Sequence, residues 1–386
     1  MKSREKFLVL EIAPEGTQGW FLSVDDDRNI IFEKTVKDID LKKFFKFTRA
    51  PMRSLTQKSW EGEQMFKSRR RVIAAADPRL ATTIPIPLDL PRDEGLRRSK
   101  ITSTEAENMI AQALQKIFNG CRTEAASRLK IHELDAVLVG AKAARFKVDG
   151  KAVASPAGYP GKEISLFLEL TFTTRDIFDD LQQFFNSPDE FFFVEAPQAH
   201  LVALSRIRKL PLNLIVAKEH GAALYVFQHA KGEHPVLYRE TIEWAFDAVF
   251  KAIREAFSVS DDTARELYKM YRRGGTSADV ARAFKKMLEP ALAAFFKEIE
   301  RAKVNGAVYI DTVHDLPFDV PYKHAGASFE AHPIGDVLGK FGFSADLAKR
   351  SNADVRAAIY FLEAYFDKSN SLINEKLRRR VHWLKV

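Results

Sequence analysis

The chain reads RFKVDGKAVASPAGYPGKEISLFLELTF from Arg145 to Phe172. Asp149-Gly150 predicts the tight turn of a hairpin, because glycine accepts the positive φ that such a turn requires. The proline and glycine residues of 156–161 predict a second break in the chain. From Ile164 to Leu170 apolar residues alternate with their neighbours, which is the period of a half-buried strand. The stretch therefore predicts a hairpin followed by a long strand.

The flanking residues predict the rest of a small helix-and-sheet module. Residues 103–118 follow a capping-box pattern, Thr102-x-x-Glu105, and carry apolar residues on one face, which predicts a helix. Residues 136–140 predict a strand, and residues 176–185 predict a closing helix. Together these elements predict an α+β module over residues 91–185.

This order resembles the domain inserted into FtsA, the actin-like protein of bacterial cell division, and into its relative PilM of type IV pilus assembly. In that family a strand ends in an "xDG" turn, a "P.G..G" segment follows, and a long strand comes next. Asp149-Gly150, Pro156, Gly158 and Gly161 match that motif here. An unrelated antiparallel hairpin is the alternative interpretation. The resemblance implies an α/β chain with an actin-like (ribonuclease-H-like) two-lobed ATPase fold and an inserted small α+β module.

The predicted division of the chain follows from that resemblance. Residues 1–90 plus 186–212 form the first lobe, 91–185 the module, 213–368 the second lobe and 369–386 a basic amphipathic C-terminal helix. A length of 386 residues with 46% hydrophobic residues is sufficient for such an arrangement. The single cysteine excludes an intramolecular disulfide and a multi-cysteine zinc site.

Two stretches correspond to the phosphate loops of actin-like proteins, and both depart from the family's pattern. Residues 7–24 and 29–36 predict two strands, and the first contains Leu-Glu11-Ile-Ala-Pro14-Glu15-Gly where the family has Leu-Asp-Ile-Gly-Thr/Ser. Proline has no N–H to offer a phosphate, and a glutamate repels one. Residues 212–227 predict the next strand. They hold Val216 where the family has an aspartate and Lys-Glu-His at 218–220 where it has glycines.

The remaining nucleotide loop is also altered. A strand over residues 306–310 is followed by Asp-Thr-Val-His-Asp, whereas the family continues with Thr-Gly-Gly. Carried over residue by residue, the resemblance assigns a vestigial nucleotide site to Glu11, Gly16, Lys218, Gly221, Glu266, Lys269 and Asp311. Glu266 and Lys269 also fit an exposed helical pair. We expect no catalytic residue, no metal ligand and no cofactor, with ATP and Mg²⁺ as the alternative if the fold still binds nucleotide.

A basic segment at residues 42–71 carries ten Lys or Arg and two Glu, which equals the whole net charge of +8. Phenylalanine and tryptophan residues interleave with these charges. Contact with an anionic surface or nucleic acid is one interpretation, and a solvated segment with its aromatic residues packed on the domain is the other. Because the rest of the chain is balanced, a nucleic-acid partner is not favoured.

The C-terminal residues 372–386 predict a short cationic amphipathic helix. One face carries apolar side chains, and arginines with a tryptophan lie at its borders, which suits a bilayer interface. The predicted membrane-binding residues are Ile373, Leu377, Arg378, Arg379, Arg380, Val381, Trp383 and Leu384. FtsA resembles this chain in ending with such an anchor. Docking of the helix on its own domain is the alternative.

Three functions follow as hypotheses. The favoured one is an FtsA-like, non-catalytic adaptor that links cell-division machinery, through a tubulin-like partner of the FtsZ type, to the inner face of the cytoplasmic membrane. The second is a PilM-like adaptor of type IV pilus assembly. The third is an active actin-like ATPase with a rearranged pocket. The resemblance also allows self-association. The altered loops favour a pseudo-ATPase over an enzyme.

Overall fold

The computed structural model describes residues 5–41, 71–182, 191–229, 235–347 and 352–366, together with Ile373, Asn374 and Leu377. Residues 42–70 and 378–386, which hold most of the basic segment and the end of the predicted membrane helix, lie outside the described residues. Contacts divide the chain into two units, Met1–Ala203 with Gly335–Val386, and Leu204–Ile334.

The strands are β1 (Glu5–Ala13), β2 (Gly16–Val24), β3 (Ile30–Val36), β4 (Arg71–Ala76), β5 (Ala81–Pro91), β6 (Ala136–Val148), β7 (Lys151–Ala152), β8 (Glu163–Thr174), β9 (Phe191–Glu195), β10 (Leu212–Lys218), β11 (Gly221–His229), β12 (Pro235–Ile242), β13 (Gly306–Thr312), β14 (Tyr322–His324) and β15 (Ala327–Glu330). The α-helices are α1 (Ser103–Leu129), α2 (Arg175–Gln182), α3 (Ala196–Leu204), α4 (Asp247–Phe257), α5 (Asp261–Arg272), α6 (Ala278–Arg301), α7 (Ile334–Lys340) and α8 (Asn352–Phe366). Short 3-10 helices span Glu94–Leu96 and Glu133–Asp135.

The two units repeat one sheet pattern. In the first unit the strand order is β3-β2-β1-β4-β9, with the first three strands antiparallel and the last two parallel to β1. In the second unit the order is β12-β11-β10-β13-β15-β14, and its first five strands pair in the same senses. The chain thus contains the same five-stranded arrangement twice.

Each of these sheets opens with a hairpin that the sequence predicted as one strand. Residues 7–24 are interrupted at Pro14-Glu15, so β1 and β2 run antiparallel with Ala13 opposite Gly16. Residues 212–227 are interrupted at Glu219-His220, with Lys218 opposite Gly221. Strands β1 and β10 are almost continuously buried and apolar residues continue beyond each turn, so periodicity alone did not reveal the reversal.

The module's two motifs form one contact. Asp149 and Gly150 have φ of 47° and 78°, which confirms the predicted tight turn between β6 and β7. The Asp149 carboxylate then accepts hydrogen bonds from the backbone N–H groups of Lys162 and Glu163, at 2.8 and 3.0 Å. Gly161 lies so close to this turn that a Cβ there would stand 2.3 Å from Val148 Cγ1. The Asp-Gly turn therefore anchors the glycine segment that leads into β8.

The module begins earlier than predicted. Strand β5 pairs with β8 along its whole length, from Ala81 opposite Thr173 to Pro91 opposite Glu163. The module sheet has the order β5-β8-β6-β7, so residues 81–90 belong to it and not to the first lobe. Helix α1 contributes its apolar face to the module core and begins at the predicted capping box of Thr102 and Glu105.

The segment 335–368 was predicted to lie in the second lobe, and this is corrected by the packing of α8. Trp20 of β2 donates from Nε1 to the Asp354 carboxylate at 2.9 Å. Phe7 of β1 meets Phe361 edge to face, with ring centroids 4.8 Å apart. Helix α8 therefore covers the first sheet, because that sheet presents large apolar side chains which need a cover.

The described residues beyond α8 dock on the module. Ile373 and Leu377 are each 2% exposed and belong to the module core. The Asn374 side chain accepts from the backbone N–H of Ala143 at 2.7 Å and donates to its carbonyl at 2.9 Å. Strand β7 pairs with β6 only at Lys147 and Val148. At Ala143 the Asn374 side chain therefore makes the backbone hydrogen bonds that a neighbouring strand would otherwise make. Among the described residues, no helix is long and apolar enough to cross a bilayer.

Candidate functional site

The turn between β1 and β2 carries a charge cluster that belongs to the chain itself. Glu15 at this turn accepts two hydrogen bonds from Arg79, from Nη1 at 2.6 Å and from Nη2 at 2.7 Å. Arg79 Nε also donates to the carboxylate of Asp77 at 2.8 Å, and Asp77 is 3% exposed. Arg79 reaches both because it lies just beyond β4, which is parallel to β1 and next to it. One guanidinium is thus held between two carboxylates.

The guanidinium of Arg79 stays protonated in this cluster. Partial burial lowers the pKa of Arg79, but the hydrogen bonds and charges of Asp77 and Glu15 together raise it by more, so the pKa lies above its ordinary value. Two carboxylates against one guanidinium give this turn a net charge of −1. Pro14, the other turn residue, has no N–H to donate. Gly16 follows at the exposed start of β2.

Glu11, assigned to the vestigial nucleotide site, is engaged elsewhere. Its carboxylate forms a buried ion pair with Arg356 of α8, in which Nε lies 2.9 Å from Oε1 and Nη2 lies 2.9 Å from Oε2. Each side chain is 10% exposed. The Tyr360 hydroxyl lies 3.5 Å from the same carboxylate. Glu11 therefore holds α8 against the first sheet.

The turn between β10 and β11 has a similar internal pair. Glu219 forms a short ion pair with Arg265 of α5, and its carbonyl accepts the backbone N–H of Asp247 at 2.9 Å. The hydrogen bond to Glu219 raises the pKa of Arg265. The Arg265 guanidinium also lies over the Phe250 ring, 5.6 Å from its centroid. This turn is tied to α4 and α5 by its own side chain and backbone.

Lys218 and Gly221 flank that pair. Lys218 ends β10 with only 8% exposure, and its carbonyl accepts the N–H of Phe246 at 3.2 Å. Gly221 begins β11 and has no atom of another residue within 4 Å of where a Cβ would stand. The turn thus leaves room at Gly221, and the Glu219 carboxylate beside it is paired with Arg265.

Glu266 and Lys269 form an exposed pair on α5. Lys269 Nζ donates to Glu266 at 2.6 Å, and this contact lowers the pKa of the Glu266 carboxyl. Their side chains are 67% and 46% exposed. Arg265, one position earlier, is the α5 residue that contacts the turn. The helical-pair interpretation therefore describes their geometry.

Asp311 lies inside the second sheet. It is 7% exposed on β13, directly beside Val216 of β10 in the parallel register. His332 lies near Asp311, and both of its ring nitrogens are buried although the residue as a whole is partly exposed. Burial lowers the pKa of His332 to about 4, against an opposing effect of the Asp311 charge. A carboxylate and a neutral imidazole therefore share the carboxyl end of this sheet.

These residues do not fit a magnesium triphosphate. Both hairpin turns present a glutamate that is already paired with an arginine, and the first also contains a proline. Within the described ranges, no group of three His, Cys, Asp or Glu side chains is arranged to hold a metal ion. Phosphate loops rely on convergent backbone N–H groups and a cation, and neither turn offers that combination.

The predicted membrane residues divide into two groups. Ile373 and Leu377 are buried in the module core, so for these two the expectation of a membrane contact is corrected in favour of docking on their own domain. Arg378, Arg379, Arg380, Val381, Trp383 and Leu384 lie outside the described residues.

Sequence reasoning missed the arginines that pair with these glutamates, Arg79 and Arg356 in the first unit and Arg265 in the second. Arg79 had a usable signal, because an aspartate directly after a buried strand often accepts the backbone N–H two positions later, as Asp77 does from Arg79 at 3.0 Å. Arg265 and Arg356 had none, since their partners lie 46 and 345 positions away.

No family model and no curated protein matches the chain. Solved structures do match. A PilM-PilN type IV pilus biogenesis complex is 11% identical over 94% of this chain and 98% of that chain, with a TM-score of 0.50. The duplicated sheet order and this match decide the fold.

The chain has an actin-like ATPase fold. A protein of that fold from Bacteroides thetaiotaomicron matches with a TM-score of 0.32, at 9% identity over 82% of this chain and 84% of that one. An apo pSK41 ParM protein matches with a TM-score of 0.35, at 9% identity over 95% and 99%. The two hairpin turns are the stretches for which the sequence predicted phosphate loops.

Proposed function

We propose that this chain is a non-catalytic adaptor, an actin-like pseudo-ATPase that binds other proteins in place of hydrolysing nucleotide. The observation that carries the proposal is that, at each of the two hairpin turns, a glutamate is already paired with an arginine of the same chain. Arg79 and Arg265 are paired with the chain's own Glu15 and Glu219, so these two cations are already engaged.

The charges at the turns oppose a triphosphate. A carboxylate and a phosphate oxygen about 4 Å apart repel by about 4 kcal/mol at the dielectric of a protein surface. Each turn holds such a carboxylate paired with its own arginine, so a phosphate would have to compete with Glu15 or Glu219 for that cation. Opening either ion pair to free its arginine would leave a carboxylate exposed to the same phosphate. We therefore expect no useful affinity for Mg-ATP.

Calorimetry and thermal unfolding with Mg-ATP test the proposal. We expect no saturable heat and no rise in melting temperature, because a ligand at 100 times its Kd would stabilise the protein by about 2.7 kcal/mol. Saturable binding that is lost in Lys218→Ala, and kept in the control Lys251→Ala on exposed α4, would favour the active-ATPase alternative.

A partner of the pilus-assembly type is favoured over a tubulin-like division partner. The matched solved structure is a PilM-PilN complex, and two residues of the division-type membrane helix are buried in this chain. Co-expression with a candidate of each type, followed by size-exclusion chromatography, tests the choice. A stable complex with the tubulin-like protein alone would reverse it.

Membrane contact through residues 378–386 remains part of the proposal, at the inner face of the cytoplasmic membrane. Truncation after Leu377 removes these residues and keeps the docked Ile373, Asn374 and Leu377. Sedimentation with anionic liposomes should retain the full chain and lose the truncated one, because each basic residue near an anionic surface contributes about 1 kcal/mol. Equal sedimentation of the two would remove the anchor from the proposal.

A further inference from the structure

The second unit carries a groove of about 640 Å³ that the proposed nucleotide site does not use. One wall is helix α6, from Arg282 to Glu300. The other wall is strand β14, through Tyr322 and His324, while Lys323 between them does not face the groove. Strand β14 is the last strand of its sheet, pairing with β15 on one side. Among the strands that the structure describes, none pairs with the outer edge of β14, and the groove lies beside that edge.

The groove wall on α6 is separate from the helix face that builds the core. The core face carries Phe284, Leu288, Ala291, Phe295 and Ile299. The groove face repeats at helical spacing through five turns and carries Arg282, Lys285, Lys286, Glu289, Phe296, Lys297 and Glu300. Eighteen residues of helix rise about 27 Å. The groove is therefore elongated, and an extended chain of about eight residues matches its length.

The centre of the groove is aromatic. Phe296 stacks on His324, with ring centroids 4.3 Å apart, and on Tyr322 at 5.3 Å. Tyr322 is 37% exposed, which is high for a large aromatic side chain. These rings offer a contact surface for an apolar side chain. Glu300 is already hydrogen bonded to His324 at 2.8 Å, so its carboxylate is directed to the rings' edge.

The charges of the groove favour an acidic occupant. Four of its lining residues are basic and two are acidic. Lys285 and Lys286 form no ion pair with any residue that the structure describes, and both are exposed. A second copy of the same face would bring these lysines against each other and is disfavoured. A nucleic acid, with phosphates at every position, would meet Glu289 and Glu300, whereas a peptide can place its carboxylates at the lysines alone.

We propose that this groove binds an extended acidic peptide segment of a partner protein, paired along the open edge of β14. The three residues of β14 would bind the backbone at the centre of the peptide, and alternate side chains along the peptide would face α6. An apolar residue would cover Phe296 and Tyr322, with carboxylates toward Lys286 and Lys297. The inference deepens the proposed adaptor role, since it names a surface and the chemistry of a partner.

Fluorescence anisotropy of the full chain with the labelled peptide Ser-Glu-Thr-Phe-Thr-Glu-Ser-Glu, which alternates acidic or apolar residues with neutral ones, tests the proposal. We expect saturable binding that weakens about fivefold in Lys286→Glu and in Lys297→Glu, because each attractive contact becomes repulsive. Lys251→Glu changes the same charge on an exposed lysine of the same unit, on α4 and outside the groove lining, and should leave binding within twofold.

Four outcomes would overturn the proposal. They are no binding up to about 1 mM peptide, equal binding of a peptide with lysine at every acidic position, equal weakening by Lys251→Glu, and tighter binding of a single-stranded oligonucleotide than of the peptide. Binding of Mg-ATP would remove the proposed pseudo-ATPase function and leave this result unchanged, so the two failures are distinguishable.

Discussion

At the scale of the residue, the role of each of these carboxylates depends on the cation with which it pairs. Glu11 could face a nucleotide or a helix, and Arg356 makes it a structural group. Glu15 and Glu219 could repel a phosphate if they were unpaired, but Glu15 is paired with Arg79 and Glu219 with Arg265. Buried charges require partners because desolvation is costly, so one arginine changes the role of each acid.

The ion pair of Glu11 and Arg356 predicts non-additive stability changes. Arg356→Met leaves a carboxylate buried without its guanidinium, and we expect unfolding free energy to fall by about 3 kcal/mol. The double variant Glu11→Leu with Arg356→Met should recover most of that loss. Urea denaturation of the four proteins gives the coupling. Losses that simply add would show that the pair is not energetically connected.

An exposed pair gives the control for that cycle. Lys251 and Glu255 lie four positions apart on α4, with side chains 62% and 67% exposed. Removing either should change stability by less than about 0.5 kcal/mol.

His332 predicts how stability depends on pH. Its pKa is about 4 in the folded chain and about 6.5 when unfolded. Below the unfolded pKa the unfolded state binds a proton that the folded state refuses. Burial of neutral His332 therefore costs no stability above about pH 6.5, and the free energy of unfolding falls as the pH is lowered from 6.5 toward 4. Between about pH 7 and pH 5 we expect the wild type to lose about 2 kcal/mol more than His332→Gln.

The measurement is urea denaturation of both proteins at each pH. His220→Gln, which removes an exposed turn histidine, should follow the wild type. Parallel pH profiles for the wild type and His332→Gln would contradict the assigned burial effect.

At the scale of the element, local sequence predicted type and position more reliably than extent. The capping box at Thr102 and the turn at Asp149 were both predicted, because each depends on residues within four positions. Hairpin reversals within residues 7–24 and 212–227 were missed, since neither Pro-Glu nor Glu-His is among the strongest turn pairs. The edge of β6 shows the limit most clearly, because Asn374 covers it from more than 200 positions away.

That edge contact predicts a measurable change. Asn374→Ala leaves a buried N–H and carbonyl of Ala143 without their partner, and we expect a loss of about 1–3 kcal/mol. Amide hydrogen exchange at Ala143 should become faster in the variant. Asn119→Ala on the exposed face of α1 is the matched control and should leave both stability and exchange unchanged. Unchanged protection at Ala143 in Asn374→Ala would contradict the contact.

At the scale of the whole molecule, the chain leaves the first unit at Ala203 and returns to it at Gly335. Helix α8 then covers the first sheet with side chains that are almost fully buried, among them Ile359, Tyr360, Phe361 and Leu362. The first unit therefore requires the end of the chain, which a division into consecutive lobes did not anticipate.

A truncation tests this return. Residues 1–350 lack α8 and would expose the apolar face of β1, so we expect aggregation or a loss of cooperative unfolding. Residues 1–377 keep α8 and the docked Ile373 and Leu377, and should unfold cooperatively like the full chain. Circular dichroism with thermal unfolding compares the three proteins. Cooperative unfolding of residues 1–350 near the wild-type temperature would contradict the assignment.

The sequence by itself determined the elements and their chemistry. Alternating apolar residues, capping residues and the Asp-Gly and proline-glycine turns act over a few positions, so they can be read without the fold. The order of elements in an actin-like fold was implied by the family resemblance of the Asp-Gly and proline-glycine segments. Only the tertiary structure decided which cation meets each carboxylate, where α8 returns and what covers Ile373. The sequence shows that an apolar face or a charged group needs a partner. Which residue becomes that partner depends on how the whole chain packs.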